Sequence, residues 1–222
     1  MQVAHVSKEV LSVEAYKDVL DPAYAALVEA EQTAQGLWCF NLQGVPGLLH
    51  TEDYSRAVTR YSRLLPITTY ERELHVELRL KRQWHVLEQA TPPQMKVILD
   101  ESVLHRQVGG PEVLREQLMH IVKIAQLPHI IVRVLPLTRP IDYAGDYGLY
   151  SFTLIRFYGS GNRKKALYRE QITSRQSFAE RLIDVHRHEM LFNYLWQDAL
   201  SGEKSLALME CLIDRPIAQY HE

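Results

Sequence analysis

The residues best suited to chemistry lie in one loop, residues 136–148, PLTRPIDYAGDYG. We predict Asp142 and Asp146 as catalytic residues, because a carboxylate can orient a substrate or move a proton. Tyr143 and Tyr147 are predicted ligand contacts, since tyrosine offers an apolar ring and one hydroxyl. The loop is long and leaves the carboxyl end of a predicted strand, where open sheets bind ligands. The alternative is a surface loop whose aspartates form turns.

Three residues elsewhere complete the predicted ligand site: Trp38, His50 and Glu101. His50 precedes a predicted helix start at Thr51, and the alternative is a structural histidine held by hydrogen bonds. Glu101 follows Asp100 at the end of a predicted strand. Adjacent strand residues point to opposite faces, so these two do not form an acid–base pair. We expect one of them to reach the sheet end where the loop lies and the other to pair with an arginine.

The sequence argues against a metal or an organic cofactor. His186 and His188 lie two residues apart on a predicted helix, where their side chains point about 200° apart and cannot share an ion. Cys39 and Cys211 match no metal or redox spacing and predict buried free thiols. The glycine-rich turn at residues 159–162 lacks the spacing of a phosphate-binding loop. We therefore predict no metal and no cofactor.

Composition limits the class of protein further. The 222 residues are 46% hydrophobic and 23% charged, which is typical of a globular chain. A formal net charge of -2 argues against a protein whose main task is gripping nucleic acid. No stretch resembles a signal peptide or a membrane span, so the sequence predicts a cytoplasmic protein that does not contact a membrane.

The elements that must position these residues predict an α+β fold: a mixed sheet of four to five strands, packed by several helices. The predicted strands are residues 95–99, 130–135, 149–158 and 166–170, and the predicted helices are about 7–20, 21–35, 52–65, 68–88, 111–126, 176–199 and 204–213. In the helix over 68–88, Arg79 and Arg82 fall on the charged outer face. The breaker-rich stretch 37–49 predicts a buried irregular segment.

We expect a single ligand-binding-type domain over residues 21–215. Residues 1–20 are predicted as an N-terminal extension that folds over the site as a lid helix. Residues 216–222 are predicted as a tail. No internal repeat or low-complexity segment divides the chain.

Several short motifs occur in a fixed order along the chain. They are PGLLHTEDYSRA at 46–57, RLKRQ at 79–83, DESVL at 100–104 and VLP at 134–136. Together they resemble the PGLLQTEDYARA, RxxRQ, DEaaL and VxVLP pattern of an actinobacterial domain of unknown function. That domain usually follows an Xre-type helix-turn-helix in transcriptional regulators. His50 stands where the pattern has glutamine.

The resemblance implies the effector half of a regulator. A helix-turn-helix needs roughly 60 residues in three helices, and only about 20 residues precede the first matched helix. We therefore expect no specific DNA binding by this chain.

Three functions remain open. The first is a stand-alone effector-domain homologue that binds a mostly apolar, polyketide-like small molecule in actinobacterial specialised (antibiotic) metabolism, or a partner protein in its place. The second is a cofactor-free cyclase or isomerase acting on such a molecule, since cyclisation needs mainly shape and one or two hydrogen bonds. The third is a trimmed effector or partner-binding half of a helix-turn-helix regulator. An enclosed pocket favours a small molecule, and a flat apolar patch favours a protein partner.

Overall fold

A computed structural model describes residues 11–60, 68–139, 150–157, 165–170, 177–179 and 181–215. These residues form an α+β fold. The helices are α1 (Pro22–Thr33), α2 (Glu52–Arg60), α3 (Thr69–Leu87), α4 (Pro111–Ile124), α5 (Leu182–Asp198) and α6 (Gly202–Ile213). The strands are β1 (Gly36–Asn41), β2 (Gln94–Asp100), β3 (Ile130–Leu135), β4 (Phe152–Arg156), β5 (Lys165–Arg169) and β6 (Ser177–Ala179). Short 3-10 helices span Val13–Tyr16, Gly47–Leu49 and Glu101–Leu104.

Local sequence fixes where the helices begin. The Asp21 side chain accepts from the backbone of Ala23 and caps α1, which starts at Pro22. Thr68 and Glu71 form a reciprocal capping box at the start of α3. Within the described ranges, no helix has the length and apolar character needed to cross a membrane.

The strands form one open sheet in the order β3-β2-β1-β4-β5-β6. Strands β3, β2 and β1 run parallel, whereas β4, β5 and β6 join them antiparallel. The mixed sheet is confirmed, but it has six strands where the sequence predicted four to five.

Two strands account for that difference. β1 overlaps the stretch 37–49 that was predicted to be irregular, and that prediction was wrong for residues 37–41. The strand is central and buried on both faces, so its residues form a continuous apolar run instead of an alternating pattern. β6 is a three-residue strand within the predicted helix over 176–199, and α5 begins only at Leu182.

Helices cover both faces of the sheet. The larger core joins one face to α1, α3, α4 and α6, through residues such as Leu37, Val97 and Leu118. The smaller core joins the other face to α5, through residues such as Phe40 and Phe192. Because strand side chains alternate, neighbouring residues of β1 belong to different cores.

The segment before α1 packs on the outside of the larger helical layer. Its 3-10 helix, Val13–Tyr16, replaces the predicted helix over 7–20 in the part described. Leu11 and Tyr16 contact a small cluster that contains Val28 of α1 and Leu78 of α3. Residues 1–10 lie outside the described ranges, so the lid remains a prediction.

Candidate functional site

A cavity of about 760 Å³ lies between the sheet, α1, α3 and the segment that follows β1. Cys39, Thr153 and Tyr168 form its floor on the sheet, and Asn41 places it at the carboxyl end of β1. The size suits a drug-sized molecule, and the carboxyl end of the parallel strands is where ligands commonly bind.

The roof of the cavity is residues 43–50, and two glutamines hold it in place. Gln83 of α3 donates to the carbonyl oxygens of Gly47 at 3.0 Å and His50 at 2.7 Å. Gln117 of α4 donates to the carbonyl of Leu49 at 2.6 Å and accepts from the backbone of Thr51 at 2.8 Å. These bonds satisfy backbone groups of an irregular segment that no strand partner reaches.

His50 lines the cavity as a neutral imidazole. Its Nε2 donates to the carbonyl of Val45 at 2.7 Å, and its edge meets the Tyr54 ring with centroids 4.7 Å apart. Burial, with the charge of Arg79 next in effect, lowers the pKa of His50 well below its usual range. Nδ1 is therefore an acceptor, and it is buried with no hydrogen-bond partner in the described part of the chain.

A buried ion pair forms one side of the cavity. Arg82 donates through Nε and Nη2 to the two carboxylate oxygens of Glu31, and through Nη1 to the Tyr24 hydroxyl at 2.6 Å. Burial raises the pKa of Glu31, while the charge and hydrogen bonds of Arg82 act in the opposite direction. Every nitrogen of this guanidinium has a protein partner. The charge of Arg82 is therefore neutralised by the protein itself and needs no ligand.

Two further charges face the cavity without such partners. Nε and Nη1 of Arg79 are enclosed but make no hydrogen bond to any residue that the structure describes. Glu170 follows β5 and lines the cavity. The surrounding protein raises the pKa of Glu170 by desolvation, against smaller opposing effects of Arg79 and Arg82. A carboxyl whose pKa is raised keeps its proton to a higher pH than usual, which suits a group that gives or takes a proton.

The floor holds no activated thiol. Cys39 is buried in β1, and burial raises the pKa of its thiol to about 12. Thr153 of β4 donates a weak hydrogen bond to its sulfur at 3.7 Å. A protonated thiol in this setting is a packing group, not a nucleophile.

The structure brings one of the sequence-predicted ligand residues, His50, to the described cavity wall. Trp38 lies on the opposite face of the sheet, where it stacks on Phe192 at 5.3 Å between centroids and carries Arg156 above its ring. It sits one residue before Cys39, and the alternation of β1 sends the two side chains to different faces.

Glu101 lies beside the start of the 136–148 loop. Its Oε2 accepts from the backbone of Leu137 at 2.9 Å, and its other oxygen lies 3.8 Å from His105. Asp100 does not pair with an arginine as expected, because it caps a 3-10 helix by accepting from the backbone of Ser102 at 3.0 Å. Neither carboxylate belongs to the described cavity wall.

Asp142, Tyr143, Asp146 and Tyr147 fall within residues 140–149, outside the described ranges. The catalytic and ligand-binding roles assigned to them therefore stay predictions.

Of the two histidines on α5, His188 packs in the core and His186 is exposed. His188 is buried, with Nδ1 bonded to the carbonyl of Asp184 at 2.7 Å and Nε2 bonded to the Tyr150 hydroxyl at 2.8 Å. Its ring also meets Phe152 edge-on at 5.1 Å. Among the described residues, no three side chains of the metal-ligating types lie together.

Sequence reasoning missed the charged part of the wall. The outer-face assignment was wrong for Arg82, which is 4% exposed. The available signal was the spacing of Arg79, Arg82 and Gln83, which are three and four residues apart and therefore share a helix face. Nothing in the local sequence indicated that Glu31 and Glu170 would face them, because those contacts join distant segments.

These features define an α+β domain with a polar-lined cavity. The chain matches a family model described as "Domain of unknown function (DUF5753)" over residues 24–210. The match spans most of the chain, and the protein belongs to this family. No curated protein and no solved structure gives a match.

Proposed function

We propose that this protein is an effector-type domain that binds a small organic molecule in the cavity beneath residues 43–50. The observation that carries the proposal is the cavity itself, about 760 Å³ with charged and polar side chains set among apolar ones. Binding sites for small molecules combine these two properties, because apolar surface supplies affinity and a few polar groups fix orientation.

The lining supports an amphipathic ligand. Leu27, Val45, Leu48, Val58 and Val108 offer apolar contact, which suits the carbon skeleton of a polyketide-like molecule. The charged groups and amides between them are more numerous than a mostly apolar ligand requires. We therefore propose a ligand with a hydrocarbon framework and several oxygen functions.

A pair of variants at Thr153 tests whether ligands occupy the cavity. Thr153 is half-buried on the floor, in a strand that tolerates aromatic and β-branched residues. Thr153→Phe fills the cavity, whereas Thr153→Val keeps the shape and removes only the hydroxyl. Compounds of drug-like size are screened by thermal shift. A compound present at about a hundred times its Kd should raise Tm by roughly 5–10 °C.

We expect the compounds that stabilise the wild type to stabilise Thr153→Val equally and Thr153→Phe not at all. Shifts that survive in a folded Thr153→Phe variant would place the ligand elsewhere. A broad screen without any stabilising compound would also count against the proposal.

A second candidate function is a cofactor-free isomerase or cyclase. The observation that favours it is that one cavity is lined by Glu170, whose pKa is raised, and by His50, whose Nδ1 has no hydrogen-bond partner among the described residues. Two groups of this kind can move a proton without a cofactor.

The test of this second function is to incubate each compound found by the screen with the protein and to follow the conversion of the compound by mass spectrometry. Conversion should fall about a hundredfold or more in Glu170→Gln, and a compound that is bound but never converted favours the binding function.

A further inference from the structure

Arg79 is a charged residue of the cavity wall whose Nε and Nη1 have no hydrogen-bond partner among the described residues. It lies one turn before Arg82 on α3, and the two guanidinium groups lie under the same residue of the roof. A Cβ added at Gly47 would lie 3.4 Å from Nε of Arg79 and 3.4 Å from Nη1 of Arg82. A side chain at Gly47 would therefore crowd both groups, and the glycine lets the roof approach them.

The two arginines differ in what neutralises them. The three nitrogens of Arg82 donate hydrogen bonds to the Glu31 carboxylate and the Tyr24 hydroxyl. Nε and Nη1 of Arg79 are enclosed and have no hydrogen-bond partner among the described residues. Enclosing a guanidinium without a partner is costly, so the described part of the wall is unfavourable at Arg79 unless another group pairs with it.

The charge around Arg79 is positive. Arg79, Arg82, Arg106, Glu31 and Glu170 are the charged residues of the described wall. Glu31 neutralises Arg82. Among the charged residues of the described wall, only Glu170 then remains to balance the positive charges of Arg79 and Arg106. Desolvation also raises the pKa of Glu170 and so weakens this last counter-charge. The described wall therefore suits a negatively charged ligand better than a neutral one.

Building on the proposed function, we propose that Arg79 binds a carboxylate of the ligand, so that the natural ligand is an organic acid. A carboxylate oxygen on Nη2 brings the second oxygen to a neighbouring N–H of the same planar fork. Among the described residues that N–H has no partner to give up, so a ligand carboxylate would pair with Arg79 as Glu31 pairs with Arg82. The apolar wall then receives the carbon skeleton of the acid.

The test uses probes that differ only in charge. Pairs of arylalkanoic acids and their primary amides, from phenylacetate to 6-phenylhexanoate, are titrated by ligand-detected NMR at pH 7.5. The proteins are the wild type, Arg79→Met, Arg79→Lys and, as a matched surface control, Arg181→Met, whose side chain is 80% exposed. Thermal unfolding of each variant without ligand is recorded in parallel.

We expect the wild type and Arg181→Met to bind the acids at least tenfold more tightly than the amides. Arg79→Met should lose this preference by weakening acid binding while leaving amide binding unchanged, and Arg79→Lys should keep part of it. The Tm of Arg79→Met should equal or exceed that of the wild type, because an unpartnered enclosed charge is removed.

Equal binding of acid and amide by the wild type overturns this inference and leaves the proposed function standing. A preference that survives in Arg79→Met overturns it as well. Failure of both members of every pair to bind counts against the proposed function and the inference together. A clear fall in the Tm of Arg79→Met shows that Arg79 serves the fold, and it removes the premise.

Discussion

The ion pair between Glu31 and Arg82 joins α1 to α3 beside the cavity, and both side chains are almost fully buried. Removing one partner leaves the other charge buried and uncompensated. We expect Glu31→Leu to lower the free energy of unfolding by about 3–5 kcal/mol, and the double variant Glu31→Leu/Arg82→Met to recover most of the loss. Urea denaturation measures both.

The matched control is an ion pair at the surface. Arg56 and Glu73 are 2.6 Å apart, with the Glu73 side chain 55% exposed. Glu73→Leu should cost less than about 1 kcal/mol, because water replaces the lost partner. A double variant at positions 31 and 82 that is as unstable as Glu31→Leu would show that the pair is not a self-contained unit.

His50 makes the stability depend on pH. Burial lowers its pKa in the folded chain, so the unfolded chain takes up a proton first as pH falls below the ordinary value of about 6.5. The stability contributed by the neutral ring is thus complete above that pH and is lost on acidification. Below pH 6.5 the free energy of unfolding should fall by about 1.4 kcal/mol per pH unit from this residue.

His50→Gln should remove that part of the slope, because an amide can still donate to the Val45 carbonyl but does not titrate. The measurement is urea denaturation at several values between pH 7.5 and 5. His186→Gln, at an exposed position of α5, is the control and should leave the slope as in the wild type. An unchanged slope in His50→Gln would contradict the assignment of a buried neutral ring.

At the scale of elements, α3 and α4 position the roof through single glutamine side chains. Gln117 is fully buried and bonds to the carbonyl of Leu49 and the backbone N–H of Thr51. Gln117→Leu keeps the volume but leaves two backbone groups unpaired. We expect a loss of roughly 2–4 kcal/mol in the free energy of unfolding, with weaker ligand binding as the roof loosens.

The control for this prediction lies at the end of the same helix. Gln126 is exposed and makes only a long bond of 3.4 Å to the carbonyl of Val122. Gln126→Leu should change the stability by no more than about 0.5 kcal/mol. Similar losses in the two variants would mean that Gln117 has no special role in holding the roof.

The sequence predicted most elements because their signals are local. Asp21 before Pro22 and the Thr68 capping box mark helix starts, and β-branched runs mark buried strands. β1 was missed because it is flanked by glycine and proline and lacks alternation. The charged wall was missed for a different reason: it forms where α1, α3 and the end of β5 meet, and one sequence carries no signal of those long-range contacts.

Over the whole molecule, the sheet separates two cores. Helices α5 and α6, which follow each other in the chain, contact the sheet at the edge strand β3. The Ser205 hydroxyl accepts from the backbone N–H of Val134 at 2.9 Å and donates to the carbonyl of Ser201 at 2.8 Å. Ser205→Ala should cost about 1–3 kcal/mol, because the buried N–H of Val134 loses its acceptor. The urea midpoint checks this, and Ser201→Ala, which removes only a helix cap, should cost about 1 kcal/mol.

The same contacts determine how the sheet meets other copies of the chain. Leu200 donates its backbone N–H to the carbonyl of Val134 at 2.9 Å, so both main-chain groups of this β3 residue are occupied. A free strand edge is a template on which another chain adds a strand and begins to aggregate. Here the junction of α5 and α6 takes up the two main-chain groups of Val134 that an added strand would need, and at the other edge the described part of β6 is three residues long. The turn between two helices therefore also removes Val134 from the set of main-chain groups to which a neighbouring molecule could add a strand.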